Sequence, residues 1–233
     1  MTVLLVLFTL IAFLIVDYFV QRKAQRKLAH VAIRSMELPL PGRWRLTDDL
    51  LLAPNHTWVR REQDGSVSVG LDSFLLGLTG PVERISVPRE GEMVEPGSPA
   101  ITLQEKNKVL KVDAPIEGQV LKVNTEALQN PPSLNKNPYT AGWLFTILPA
   151  DPAASWSQFL RGEAALEWLK KQSEQVKEFL IGMRPKLEFA TMQDGGVPVE
   201  GVLKGFNKDV WSEFEKQFIG MHTRSLEGEY DNA

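Results

Sequence analysis

The sequence predicts a mainly β domain of barrel-sandwich type, closed at its C-terminal side by α-helices and preceded by one N-terminal transmembrane helix. Three observations predict this. Residues 58–149 run as short alternating apolar stretches broken by Gly and Pro, the texture of strands and hairpins. Residues 156–180 carry Trp156, Phe159, Leu160, Leu166, Trp168, Leu169, Val176, Phe179 and Leu180 at helical spacing among Glu and Lys. Residues 1–20 form an almost unbroken apolar run.

That run, MTVLLVLFTLIAFLIVDYFV, is long enough as a helix, at about 1.5 Å per residue, to cross a hydrocarbon core of about 30 Å. Asp17, Tyr18 and Phe19 lead straight into charge where a signal peptide would place small residues for cleavage, so the helix is expected to stay as an anchor. Arg22, Lys23, Arg26 and Lys27 flank it on the C-terminal side, and no basic side chain precedes it. The positive-inside bias then places the N-terminus outside and the main domain on the cytoplasmic face of the inner membrane. Asp17, about one turn from the end of the span, is read as an interfacial side chain that reaches water. On this topology Asn55-His56-Thr57 is a chance match to a glycosylation acceptor.

Residues 21–42 are a polar juxtamembrane helix, over 21–37, and a Pro-rich linker, Glu37-Leu-Pro-Leu-Pro-Gly42, where two prolines remove donors and favour extended backbone. The domain itself is assigned to residues 43–183. Arg43 to Leu52 supply a first short strand and turn, and TWVRRE, SVSVGL, GPVERISV, GEMVEPG, PAITLQ, VLKVDAP, GQVLKV and WLFTIL follow as strands. The stretches from Gly80 and from Gly118 echo each other, which suggests two similar halves. Gly162 is a candidate break in the helical stretch and Pro185 its terminator. Residues 184–233 form an extension: a β-hairpin with arms Leu187–Ala190 and Val197–Leu203, a helix over Asp209–Phe218 capped by Asn207 or Asp209, and a frayed end from Thr223.

Charge and composition exclude several functions. With 26 basic and 29 acidic residues, a net charge of -3 and a pI near 5.7, the chain has no electrostatic footprint for nucleic acid. The absence of cysteine excludes disulfides, thiolate metal sites and a Cys nucleophile. His30, His56 and His222 lie far apart with no ligand spacing, so no metal is expected. No nucleophile is paired with a base, and Asp194-Gly195-Gly196 reads as a turn because no helix-opening Lys-Ser/Thr follows it. Neither enzymatic activity nor a small-molecule substrate is expected.

Five separated blocks then point to one family. His56-Thr-Trp-Val59, Val69-Gly-Leu-Asp72, Leu78-Thr-Gly-Pro-Val-Glu with Val87-Pro-Arg-Glu-Gly91, Ala114-Pro-Ile-Glu-Gly-Gln-Val-Leu-Lys-Val-Asn124 and Asn137-Pro-Tyr-Thr-Ala-Gly-Trp-Leu-Phe-Thr-Ile-Leu-Pro149 resemble, in order, the glycine cleavage system H protein. The resemblance implies a carrier domain of the lipoyl/biotinyl type, with lipoate on a lysine at a hairpin tip, ten residues after a turn glycine and eight before a proline. Here those markers are Gly97 and Pro115, and both counts land on Asn107. Lys106 and Lys108 flank it, and Glu105-Lys-Asn-Lys108 keeps the family's Glu-x-x-Lys spacing only if the hairpin slips by one residue, which turns side chains to the opposite face.

Two readings follow. In the first the chain lacks lipoate and any other cofactor and serves as a non-catalytic docking or structural subunit of a membrane-associated complex. The bilayer and a protein are its partners, and Lys106, Asn107, Lys108 and Lys111 form an interaction hairpin. In the alternative it is a working lipoyl carrier modified on Lys108, in glycine cleavage or another lipoate-dependent relay.

Overall fold

The computed structural model describes residues 13, 15–18, 49–151, 156–183 and 200–220. Most of the apolar run at residues 1–20, the segment 21–42, and all of residues 184–199 and 221–233, with the expected hairpin arm Leu187–Ala190 and the frayed end, lie outside them. Phe13 and residues 15–18 are helical and exposed. Among the described residues no helix is long and apolar enough to cross a membrane.

The domain is mainly antiparallel β. Strands β1 (Leu50–Leu52), β2 (Thr57–Arg61) and β3 (Val67–Leu71) pair in sequence, and a helix α1 (Ser73–Thr79) follows. Then come β4 (Arg84–Ser86), β5 (Met93–Val94), β6 (Pro99–Glu105), β7 (Lys108–Asp113) and β8 (Gly118–Val123). Two short helices, α2 (Thr125–Gln129) and α3 (Pro132–Lys136), lead to β9 (Trp143–Pro149), and a long helix α4 spans Gly162–Gly182. A six-stranded sheet has the order β1-β2-β3-β9-β8-β5, and a three-stranded sheet the order β4-β6-β7.

Each strand expected over residues 50–149 is present within a few residues of its place, because the alternation that marks it also fills the core. Val67, Val69 and Leu71 of β3, Leu103 and Ile101 of β6, Leu110 and Val112 of β7, and Phe145 and Ile147 of β9 are all buried. The helices α1, α2 and α3 interrupt the stretch read as continuous β. In α1 the run Phe74 to Thr79 is buried all round, so it shows no helical stripe, and its start is fixed by the Asp72 carboxylate accepting the Leu75 N–H at 2.8 Å.

Gly162, with φ 56°, opens α4 instead of splitting it, since a positive φ is accessible to glycine and reverses the chain after the Leu52–Leu160 bridge. The C-terminal extension departs from expectation. Val202–Gly205, including part of the expected hairpin arm, is a 3-10 turn. Gly201 enters it in the left-handed region at φ 74°, a start that a strand does not have. Helix α5 (Lys208–Phe214) follows, capped by the Asn207 side chain, and a π turn over Glu215–Ile219 ends it.

Residues 200–220 are part of the core. Val202, Leu203, Phe206, Val210, Trp211, Phe214, Phe218 and Ile219 are buried, and Phe214 and Phe218 stack on each other and against Phe179 of α4.

Candidate functional site: the β6–β7 hairpin

One face of the hairpin is buried and the other is solvated, and hydrogen bonds hold both its base and its apex. Glu95–Ser98 forms a turn with Pro96 and Gly97 at its centre, Gly97 at φ 79°, and the Ser98 N–H donates to the Glu95 carbonyl at 3.0 Å. From it β6 rises and β7 returns in the register Leu103↔Leu110, Gln104↔Val109 and Glu105↔Lys108. The connection is therefore the pair Lys106-Asn107. Lys106 sits at φ 54°, and its N–H donates to the Glu83 carboxylate at 3.1 Å, which ties the apex to the strand beside it.

The register decides where each side chain goes. Lys106 and Asn107 are exposed at the apex, and Lys111 is exposed further down β7. Lys108 opens β7 on the face that carries Leu110 and Val112, and only 5% of it is exposed. Its ammonium donates to the Lys204 carbonyl at 2.6 Å and the Phe206 carbonyl at 3.2 Å, and lies 5.7 Å from the centre of the Trp211 ring. Lys108 is thus absent from the solvated face on which a basic interaction hairpin would place it. The cross-strand Glu105 is also buried, and its Oε1 lies 3.3 Å from the Lys204 ammonium, which also donates to the Pro81 carbonyl.

None of Lys204, Phe206, Trp211 and Glu215 was expected at the hairpin. Of these only Trp211 has a signal in the sequence, in the stripe Val210, Trp211, Phe214 and Phe218, which identifies a buried face without identifying what covers it.

A second buried polar cluster holds the start of the sheet. His56 Nδ1 lies 2.8 Å from Asp72 Oδ2, both residues fully buried, with the imidazole between Phe74 and Trp168 at ring separations of 5.2 and 4.9 Å. The Tyr139 hydroxyl accepts the Ser73 N–H at 3.1 Å and shares a hydrogen bond with the Ser73 hydroxyl. Burial first, and the nearby Asp72 carboxylate second, push the Tyr139 phenol well above its ordinary pKa. Through its contacts with Asp72, Phe74 and Trp168, His56 packs the turn before β2 against α1 and α4.

These features define a class: a small, mainly antiparallel β domain with one hairpin tied down at its apex and on its inner face. The sequence profile described as glycine cleavage H-protein matches residues 50–172. The chain belongs to the glycine cleavage H-protein family. It is 34% identical over 103 residues to the glycine cleavage system H protein of Shewanella denitrificans, covering 44% of this chain and 80% of that one. To the probable glycine cleavage system H protein of Pyrococcus furiosus it is 29% identical over 129 residues, covering 55% and 96%. Among solved structures it is similar to a glycine cleavage system H protein from Mycobacterium marinum, with 26% identity, a TM-score of 0.47, and coverage of 55% of this chain and 98% of that one. Residues 200–220 lie beyond the part matched by the family profile.

Proposed function

We propose that this chain is an H-type domain without a working arm, a non-catalytic docking or structural subunit of a membrane-associated complex. One observation carries the reading. An amide, Asn107, occupies the hairpin position that family resemblance gives to the lipoyl lysine, while the amine at Lys108 is turned inward onto two backbone carbonyls. A carboxamide nitrogen is not nucleophilic at neutral pH and cannot form the amide link to lipoate. Acylating Lys108 in place would remove its charge and displace the carbonyls it holds.

The membrane part of the reading rests on the sequence: the apolar run at residues 1–20 and the basic flank Arg22, Lys23, Arg26 and Lys27, which favour an anchored domain on the cytoplasmic face. The exposed helical side chains of Phe13, Ile15, Val16 and Tyr18 fit a lipid-facing surface. A platform of this kind binds protein partners and the bilayer and needs no cofactor.

Family membership favours a second reading, a working lipoyl carrier, and the exposed amine at Lys106 is the apex group that could serve it. In vitro attachment separates the two. The full chain in detergent, incubated with a lipoate-attaching enzyme, ATP and lipoate beside a lipoylatable H protein as control, is expected to gain no mass while the control gains one lipoyl group. Equivalent modification of both would overturn the platform reading. Alkaline extraction and protease accessibility of host vesicles test the anchor. Release of the chain by carbonate, or cleavage of the domain by protease added to intact right-side-out vesicles, would remove that part.

A further inference from the structure

We propose that residues 200–220 are an intramolecular cover for the β6–β7 hairpin, latched by Lys108, and that this cover shuts the flank and open edge of β7 against any outside chain. The proposal holds whether or not the apex carries an arm, so it does not rest on the function proposed above.

The cover is pinned at three places. At its entry, the Gly201 N–H donates to the Gly77 carbonyl at 2.7 Å, and the backbones of Gly80 and Gly201 approach so closely that a Cβ on Gly80 would lie 2.8 Å from the Gly201 Cα. In the middle, the Lys108 ammonium gathers the Lys204 and Phe206 carbonyls, which flank the end of the 3-10 turn, while the Trp211 indole N–H takes the Leu203 carbonyl at 2.7 Å. A cation with several donors suits this place, because the carbonyls at a helical C-terminus lack partners and carry partial negative charge. At its far end, the Glu215 carboxylate accepts the Lys111 N–H at 2.7 Å.

That last contact gives the cover its consequence. β7 is an edge strand of the three-stranded sheet, and an edge N–H is the group to which an incoming strand would bind. Glu215 supplies the acceptor that a foreign strand's carbonyl would otherwise provide. Lys108, Lys111, Glu215 and Trp211 therefore act together as positioning residues for a lid that is part of the fold.

Two measurements on the full chain test this. In hydrogen exchange, Lys108→Met should raise exchange across residues 202–219 by about tenfold or more and leave β2 and β3 unchanged, with Lys108→Arg intermediate, as local opening of one cooperative unit requires. In peptide-resolved labelling of the wild-type chain with an amine-acylating reagent, Lys106 should react like an exposed lysine and Lys108 about a hundredfold more slowly, since it reacts only when the cover opens. Unchanged exchange over 202–219 in a folded Lys108→Met chain would overturn the latch. Labelling of Lys108 as fast as Lys106 would overturn the cover. If Lys108→Met does not fold, the wild-type labelling ratio decides.

Discussion

At residue scale, one position separates a reactive amine from a structural one. Lys106 and Lys108 are two residues apart, yet the two-residue turn sends the first to solvent and the second beneath the cover. The spacing that the family resemblance implies, counted from Gly97 and Pro115, makes Asn107 legible at the apex from sequence. The burial of Lys108 was not legible, because the groups it binds lie about a hundred residues away in sequence. Tyr139 offers a separate test. Its raised pKa means that the folded state holds the phenolic proton after the unfolded chain has lost it. The resulting stability is fully present below about pH 10, the unfolded value, and falls as pH rises beyond it. Tyr139→Phe should cost about 1–2 kcal/mol at neutral pH, through the lost bonds to Ser73, and the gap to wild type should narrow above about pH 10. Denaturant melts at pH 7 and above pH 10 check this, and a gap that widens with pH would contradict it.

At the scale of elements, the strands were readable and the short helices were not. β2, β3, β6, β7, β8 and β9 announce themselves by alternation ended with Gly or Pro, whereas α1 is apolar all round and α2 and α3 span five residues each, too short for a periodic signal. Close packing between elements makes specific glycines necessary. A Cβ on Gly118 would meet the Ile147 side chain and the Leu148 carbonyl at 2.3 Å, so Gly118→Ala must push β8 from β9 and should destabilise by about 2–3 kcal/mol. A Cβ on Gly65 meets nothing within 4 Å, but its φ of 83° strains any L residue, so Gly65→Ala should cost about 1 kcal/mol. Equal melting points for the two variants would contradict this ordering.

For the whole molecule, the extension after α4 packs into the same buried core as the strands. Sequence periodicity identified its helix and left its docking site open, since an apolar stripe records burial and not the identity of the neighbour. A chain ending at Met183 would expose the inner flank of β7 and the Phe179 side of α4. Because it would uncover apolar side chains that are buried in the intact chain, that truncated chain should bind a hydrophobic dye and melt at a lower temperature. A melt like that of the intact chain would show that the barrel stands without its cover.

The most direct test of the account is the mass of the hairpin peptide, residues 99–113, isolated from the protein as made in its own host. The account predicts the unmodified mass, with Lys106 and Lys108 both bearing unsubstituted amines. A lipoyl or octanoyl group on either lysine would contradict it and make the domain a working carrier.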